Sequence, residues 1–430
     1  MFRLFYSFVF LLALPMALLN SYLKGRPFPI YRNRWREHFG LFDYDSSDKT
    51  IWVHAVSVGE SLAAIPIIRR LMKEHPEYAI VVTTTTPTGA ERILSALGDS
   101  VKHLYSPYDY PWVVNRFLTK INPCLTIIME TELWPNFMHF CRKRNVPIIV
   151  ANARLSARSA RRYGWLPIPT HRRLFQSVSC FACQNEGDAQ RFKQLGALED
   201  KVSVTGSIKF DLQLPVNIDS KTREIFSPWK DAEFVWVAGS THVGEDEPIL
   251  STHRRLLDEG LNAKLILVPR HPERFDSVSE LVEQRGFKFA RRSKDGSLKS
   301  SSEVFVCDSM GEMMYCYKAA DVAFVAGSFI ERGGHNPLEP AALSKPVISG
   351  KHVFNFADVY KNMVQANAAQ LVSKEELFDV LLELHSNIEK RELMGRAGLS
   401  VVESNRGAVT KTIKILNRYL NGRGSEEQTH

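Results

Sequence analysis

Cysteine is scarce in this chain, with six among 430 residues, at Cys124, Cys141, Cys180, Cys183, Cys307 and Cys316. Their spacing holds no repeated pair, which excludes a small disulfide scaffold and fits a reducing compartment. Cys180 and Cys183 form one C-x-x-C in "SVSCFACQNE", but no second pair or histidine cluster accompanies it. The usual zinc spacing is therefore missing, and the alternation reads as a buried strand. Internal repeats and low-complexity tracts are also lacking, which argues against solenoids and disordered tails. Acidic residues are the minority charge, 47 against 55 Lys and Arg, for a formal net charge of +8. That excess implies an anionic partner, and nucleic acid, an acidic membrane face and a phosphorylated small molecule all satisfy it.

A long hydrophobic run is lacking too. The nearest is Leu4 to Leu19, uncharged and interrupted by Pro15, slightly short of the roughly 20 residues a comfortable membrane span needs. Asn20 to Lys24 offer no good small-residue cleavage site, so the segment is expected to be retained. Lys24, Arg26, Arg32, Arg34 and Arg36 follow it. By the positive-inside tendency these cations place the remainder in the cytoplasm, and they would also attract anionic lipid. A membrane-associating segment over residues 1–24 is expected, with spanning and interfacial positions both open; the alternative is a first helix buried in a domain.

What is present is 44% hydrophobic content over a length too great for one core, which predicts two α/β domains. From Ile51 onward, short β-branched runs alternate with amphipathic stretches: "IWVHAV", "AIVVTTTT", "VKHLYSP", "LTIIME", "VPIIVANA", "SVSCFACQ" and "KVSVTGS". The rhythm is that of βα units around a mostly parallel sheet. It lapses over residues 208–231, which reads as a linker. It resumes with "EFVWVAGS", "AKLILVPR", "SEVFVCDS", "DVAFVAGS" and "KPVISG". The expected division is a first domain over 25–207 and a second over 232–430. Ligands of open α/β folds bind beyond the carboxyl ends of the strands, so a cleft between the two sheets' carboxyl ends is expected to hold the chemistry.

Among the loops that follow strands, two groups stand out. Glu60 follows the first strand, and Glu130 with Glu132 follows "LTIIM". A carboxylate beside the low-dielectric end of a parallel strand has its pKa raised toward the range of a general base. Glu60 can equally be a first-turn acid that stabilises a helix N-terminus, and Glu132 can be a helix residue that leaves Glu130 the deeper of its pair. The second group is "SFIERGGHNPLEPAA", where two glycines, His335 and Asn336 precede Pro337, a good first helical residue. Such a loop offers backbone N–H groups to a phosphate, with Glu339 in the first turn near a sugar's hydroxyls; a plain glycine-rich loop with a capping residue is the other reading. Lys209, Arg270 and His271 add cations. Arg154, Arg158, Arg161 and Arg162 lie in "NARLSARSARRYG" without interleaved aromatics, which suits phosphate better than stacked bases and weighs against nucleic acid. The "DYD" at Asp43 to Asp45 precedes the first strand instead of following one, so it is read as solvated loop and no metal is expected.

Taken in order, "HAVSVGES", "TTTTPTGAER", "METELWPN", "NARLSARS", "TGSIKFD", "PRHPERF" and "ERGGHNPLEPAA" closely resemble the 3-deoxy-D-manno-oct-2-ulosonic acid (Kdo) transferases of lipopolysaccharide synthesis. The resemblance runs over most of the chain. It implies a GT-B fold, two Rossmann-like domains with the active site between them, the first binding acceptor and the second donor. It further implies inverting transfer of Kdo from CMP-Kdo to a lipid A precursor at the cytoplasmic face of the inner membrane, without metal or other cofactor. Carried over by position, Glu60 matches the general base, and Glu130 and Lys209 match positions assigned to transition-state stabilisation. Pro269 and Arg270, Met310, Gly311 and Glu312, and Asn336, Pro337, Leu338 and Glu339 match the CMP-binding segments. Arg154, Arg158 and Arg161 are expected at the acceptor's phosphates, and Gly59 is expected to leave room for the incoming sugar. The alternatives are another GT-B enzyme using a UDP-sugar and a non-catalytic, tethered phosphosugar-binding protein.

Overall fold

Strands with apolar residues at consecutive positions must bury both faces, which requires helices on each side of the sheet. The computed structural model of the chain, which describes residues 2–12, 14–16, 29–44, 49–294 and 298–424, meets that requirement twice. It divides into two units, 1–211 with 406–430, and 212–405.

The first unit is built on β1 (Thr50–His54), β2 (Ala79–Thr84), β3 (Lys102–Tyr105), β4 (Pro123–Met129), β5 (Ile148–Ala153), β6 (Cys180–Cys183) and β7 (Val202–Val204). They pair in parallel in the order β3-β2-β1-β4-β5-β6-β7. Alternate residues of β1 serve opposite cores. Ile51 and Val53 join one apolar cluster with Ile67, Ile68 and Ile127, and Trp52 joins the other with Phe117, Phe137 and Val150. The order reverses between β1 and β4, which makes that gap the switch point where ligands of such sheets bind.

The second unit repeats the plan with β8 (Phe234–Thr241), β9 (Ala263–Pro269), β10 (Phe289–Arg291), β11 (Val304–Val306), β12 (Val322–Val325), β13 (Val347–Ser349) and β14 (Ala369–Leu371). The order is β10-β11-β9-β8-β12-β13-β14, all pairs parallel, with the switch point between β8 and β12. Phe234, Trp236 and Ala238 pack on one face and Val235 and Val237 on the other. β10 and β14 escape the sequence pattern because each is a three-residue edge strand with no apolar run of its own.

Two expected boundaries are corrected. The stretch 208–231 is not a linker. Ile208–Phe210 forms a turn of the first unit, whereas the helix Ile218–Phe226 and Trp229 are buried in the second. The segment 232–430 is not one domain either, because the last helix, Ala408–Gly424, returns to the first unit. Its Ile413, Leu416 and Leu420 complete the core against Ile51, Val53 and Ile127. Asp211 caps its start by accepting from Gly407 N and Val409 N, both at 2.6 Å.

Of the expected segment 1–24, residues 1, 13 and 17–24 lie outside the described residues, as do Arg26 and Asp45. The first helix is Phe2–Leu12, only 11 residues, and among the described residues no helix is long and apolar enough to cross a membrane. The expected membrane helix over residues 1–24 is therefore not supported. One face docks on the first unit: Tyr110 Oη donates to Phe10 O at 2.7 Å, Asn136 Nδ2 donates to Ser7 Oγ at 3.0 Å, and the Phe10 and Tyr110 ring centres lie 5.1 Å apart. The other face leaves Leu4, Phe5, Phe8 and Leu12 exposed.

Candidate functional site

At the switch point of the first sheet, the chain leaves β1 and turns at once into the helix Val58–Glu74. Ser57 caps that helix, its Oγ accepting from Glu60 N at 3.3 Å. Glu60 reaches back, accepting from Val56 N at 2.8 Å and from Ser57 Oγ at 2.9 Å. Ser57 and Glu60 thus form a variant of the capping box, a signature already spelled in "SVGE". Capping acids usually sit in water and stay ionised. Glu60 is buried, and its pKa rises to about 7: burial raises it most, the two hydrogen bonds lower it, and the charges of Glu132 and Glu130 raise it further. A Cβ placed on Gly59 would meet only Ser57 Oγ, at 3.9 Å, so the space over this turn is open.

Across the switch point, β4 is followed directly by Glu130, half-buried and held at φ +58° while its N–H donates to Ala151 O at 3.0 Å. A non-glycine residue in this region is strained, a cost that tends to persist at functional sites. Glu132 accepts from Trp134 Nε1 at 2.9 Å and is also raised by burial. The structure therefore brings Glu60, Glu130 and Glu132 close enough to feel one another's charge. Lys209 sits half-buried on the turn after β7, whose Ile208 N–H donates to Asn152 Oδ1 at 3.1 Å. Asn152, at the end of β5 with φ +52°, is the pin for that turn; nothing in the sequence distinguished it. Arg154, Arg158 and Arg161 are exposed on the loop after β5 and on the helix Ala157–Gly164, and the Arg154 carbonyl accepts from Thr131, next to Glu130. A cavity of about 890 Å³ opens beside Glu132 and Trp134, lined by Tyr6 of the first helix, Tyr163, Arg142 and Arg173.

In the second unit the corresponding loops follow β8 and β12. Glu245 is fully buried between them and accepts four backbone N–H groups: His242 at 3.0 Å, Gly327 at 2.8 Å, Ser328 at 3.0 Å and Phe329 at 3.0 Å. Sequence reasoning gave Glu245 no role, since one acid in "GEDE" carries no mark of burial. Arg270 follows Pro269 at the end of β9, and its N–H donates to Thr241 O at 3.0 Å. Met310 and Gly311 are exposed, and Glu312 forms a two-pronged ion pair with Arg292 at 2.8 and 2.9 Å, which holds its carboxyl below the usual range. Asn336 Oδ1 accepts from Leu338 N at 3.1 Å, and its Nδ2 donates to Glu339 Oε1 at 3.3 Å; burial pushes Glu339 up. The expected helix after Pro337 is only Leu338–Ala341, four residues, too short for a substantial macrodipole. Among the described residues no group of three or more His, Cys, Asp or Glu is arranged to hold a metal. Cys180 and Cys183 are buried in β6 as free thiols.

Residues 33–212 match the sequence model of the 3-deoxy-D-manno-octulosonic-acid transferase (kdotransferase) family, and residues 287–401 match glycosyl transferases group 1. A 3-deoxy-D-manno-octulosonic acid transferase of Haemophilus influenzae is 42% identical over 98% of this chain and 99% of its own length. One from Bordetella pertussis is 35% identical over 86% and 87%. Among solved structures, the UDP-GlcNAc 2-epimerase of Neisseria meningitidis superposes with a TM-score of 0.57 at 14% identity, covering 86% of this chain and all of the other; that likeness concerns the fold alone. With two parallel-sheet α/β units of the GT-B kind and 42% identity to one of these transferases over nearly its full length, the chain belongs to the 3-deoxy-D-manno-octulosonic acid (Kdo) transferase family of glycosyltransferases.

Proposed function

We propose that this chain moves Kdo from CMP-Kdo to a lipid A precursor with inversion at the anomeric carbon, using Glu60 as the general base and no metal. The observation that carries this reading is the Glu60 carboxyl, buried at a switch point with its pKa near 7. Such a group is substantially ionised at neutral pH yet basic enough to accept a proton. Glu60 takes the proton of the acceptor's primary hydroxyl as that oxygen bonds to the anomeric carbon. The bond from that carbon to the CMP phosphate oxygen breaks, and its electron pair leaves with CMP. Glu130 offsets positive charge on the sugar in the transition state. Lys209 and Arg270 favour the negative charge that develops on the departing phosphate. Pro269, Met310, Gly311, Glu312, Asn336, Pro337, Leu338 and Glu339 complete the CMP-binding segments of the second unit.

The test is to incubate purified protein with CMP-Kdo and tetraacyldisaccharide bisphosphate, with and without chelator, and to weigh the product; UDP-sugars serve as the competing donors. Glu60→Gln should retain CMP binding and lose transfer by about 10²- to 10⁴-fold, the usual contribution of one general base. A near wild-type rate in that variant would remove Glu60 from the role.

The acceptor is anionic and acylated, and two features of the first unit suit it. Arg154, Arg158 and Arg161 are assigned to its phosphates. Replacing Arg158 and Arg161 together should raise the acceptor KM well above any change in the donor KM, and an unchanged acceptor KM removes them from the site. The exposed apolar face of Phe2–Leu12 is assigned to the interface of the inner membrane's cytoplasmic leaflet. Eleven residues measure roughly 16 Å, about half the hydrocarbon thickness, and a helix with one exposed apolar face suits an interfacial position.

A further inference from the structure

The loops after β8 and β12 carry two imidazoles that the reaction proposed above leaves unused. His242 Nε2 and His335 Nε2 lie 2.9 Å apart, with the rings 5° from parallel. One proton must lie between those nitrogens. The ring that accepts it carries its own hydrogen on Nδ1, and a second proton on the pair would make both Nδ1 atoms donors and add a positive charge. Neither Nδ1 has a hydrogen-bond partner among the described residues. Burial, aided by the surrounding cations, pushes both imidazoles down to about 4. Arg270 and His271 act on both rings, and Arg274 and Arg332 act on His242. The carboxylate nearest in the loop, Glu245, already accepts four backbone N–H groups, and Arg274 is committed to Asp246 and the Thr241 carbonyl. The pair thus presents ring nitrogens in a cationic field.

We propose that the His242–His335 pair binds an anionic group of the sugar-nucleotide donor through its Nδ1 atoms, and that Glu245 is the positioning residue that holds the pair in place. This rests on the donor assignment made above. A cation would be repelled by Arg270 and Arg332, whereas an anion adds charge-assisted hydrogen bonds and relieves the repulsion among the basic groups. The line from Glu245 to the pair is continuous. Its carboxylate fastens His242 N on one loop and Gly327, Ser328 and Phe329 N on the other. Gly327 N–H meets the carboxylate while its own carbonyl accepts from Gly334 N at 2.8 Å, and His335 N donates to Ala326 O at 3.2 Å. Gly327 has φ +73°, and a Cβ there would lie 2.8 Å from the His335 ring, so the imidazole occupies the space a side chain would need.

Kdo-CMP offers two anions, the phosphate and the sugar's carboxylate, and binding measurements separate them. Equilibrium binding of cytidine, CMP and CMP-Kdo is measured for the wild type and for His242→Gln and His335→Gln. The expected result is cytidine affinity unchanged and CMP affinity lowered at least tenfold if the phosphate is the ligand, or CMP-Kdo alone lowered if the carboxylate is. Unchanged affinity for all three in both variants overturns the proposal. If the wild type binds none of the three, the donor assignment fails, and inorganic phosphate becomes the probe: binding lost in the histidine variants sustains the anion site, and binding unaltered in them overturns it. Glu245→Gln, verified as folded by its near-ultraviolet dichroism, should show the same selective loss of anion binding. Equal loss of cytidine and CMP would reduce Glu245 to a general structural role.

Discussion

Opposing forces act on the carboxyl of Glu60. Hydrogen bonds from Val56 N and Ser57 Oγ favour its ionised form, while burial and the charges of Glu132 and Glu130 oppose it, and burial wins. Transfer should accordingly show an acid limb with an apparent pKa near 7, and the residual rate of Glu60→Gln should lack that limb; a limb unchanged in the variant would assign it to another group. Stability carries the same signature with a defined sign. Between the ordinary value of 4.5 and about 7, the native state keeps a proton that the unfolded chain has lost. The contribution of Glu60 to stability is therefore fully present below 4.5 and is lost as pH rises through 7. By pH 8 the ionised side chain costs about 3 kcal/mol, from roughly 1.36 kcal/mol per pKa unit. Glu60→Gln should then be more stable than wild type in denaturant titrations at pH 8, with the gain shrinking to under about 1 kcal/mol at pH 5. A gain independent of pH would contradict the assigned cause. Glu130, Asn152 and Ser240 hold positive φ at or near the ends of central strands, as Asn122, Asn145, Ser344 and Asn367 do elsewhere in the chain.

At the scale of elements, the last helix and the first are held by different means. Ala408–Gly424 is capped by Asp211 and anchored by Ile413, Leu416 and Leu420 in the core of the first unit. Asp211→Ala leaves two N–H groups without their acceptor and should lower stability by about 1–2 kcal/mol in denaturant titration. No measurable change would show that water substitutes fully for the cap. Phe2–Leu12 has only a partial docking face, made by Ser7 and Phe10 against Tyr110 and Asn136, and its exposed face is where a lipid interface would engage. Replacing Leu4, Phe5 and Phe8 with serine should reduce cosedimentation with anionic vesicles several-fold while leaving thermal unfolding of the domain core nearly unchanged. Equal cosedimentation would move membrane contact to another surface.

Over the whole molecule, both units are parallel sheets with one reversal of strand order, between β1 and β4 in the first and between β8 and β12 in the second, although the second sets β11 between β10 and β9, an order the first does not share. Of the fourteen strands among the described residues, twelve were readable because buried parallel strands need continuous apolar runs such as "IWVHAV" and "AKLILVP". The loops that carry Glu60, Glu130, Arg270 and Asn336 were readable because each follows such a run. Periodicity could not report which core an amphipathic helix joins, since any apolar face of the right width suits either sheet; hence the misplacement of 406–430. The helix Ile218–Phe226 reads as linker for a different reason, since prolines and polar residues leave that stretch without a clear period. Nor could it reveal Glu245 or Asn152, ordinary residues in sequence, whose roles come from burial and from the distant backbone groups they engage. The sequence by itself determined the parallel α/β plan, the positive charge and the ordered motifs that point to the family, because these depend on local pattern. Tertiary structure alone decided that Glu60 loses its solvent, that Glu132 and Glu130 come near it, and that two histidines 93 positions apart share a proton, because pKa and hydrogen bonding depend on neighbours that only folding supplies.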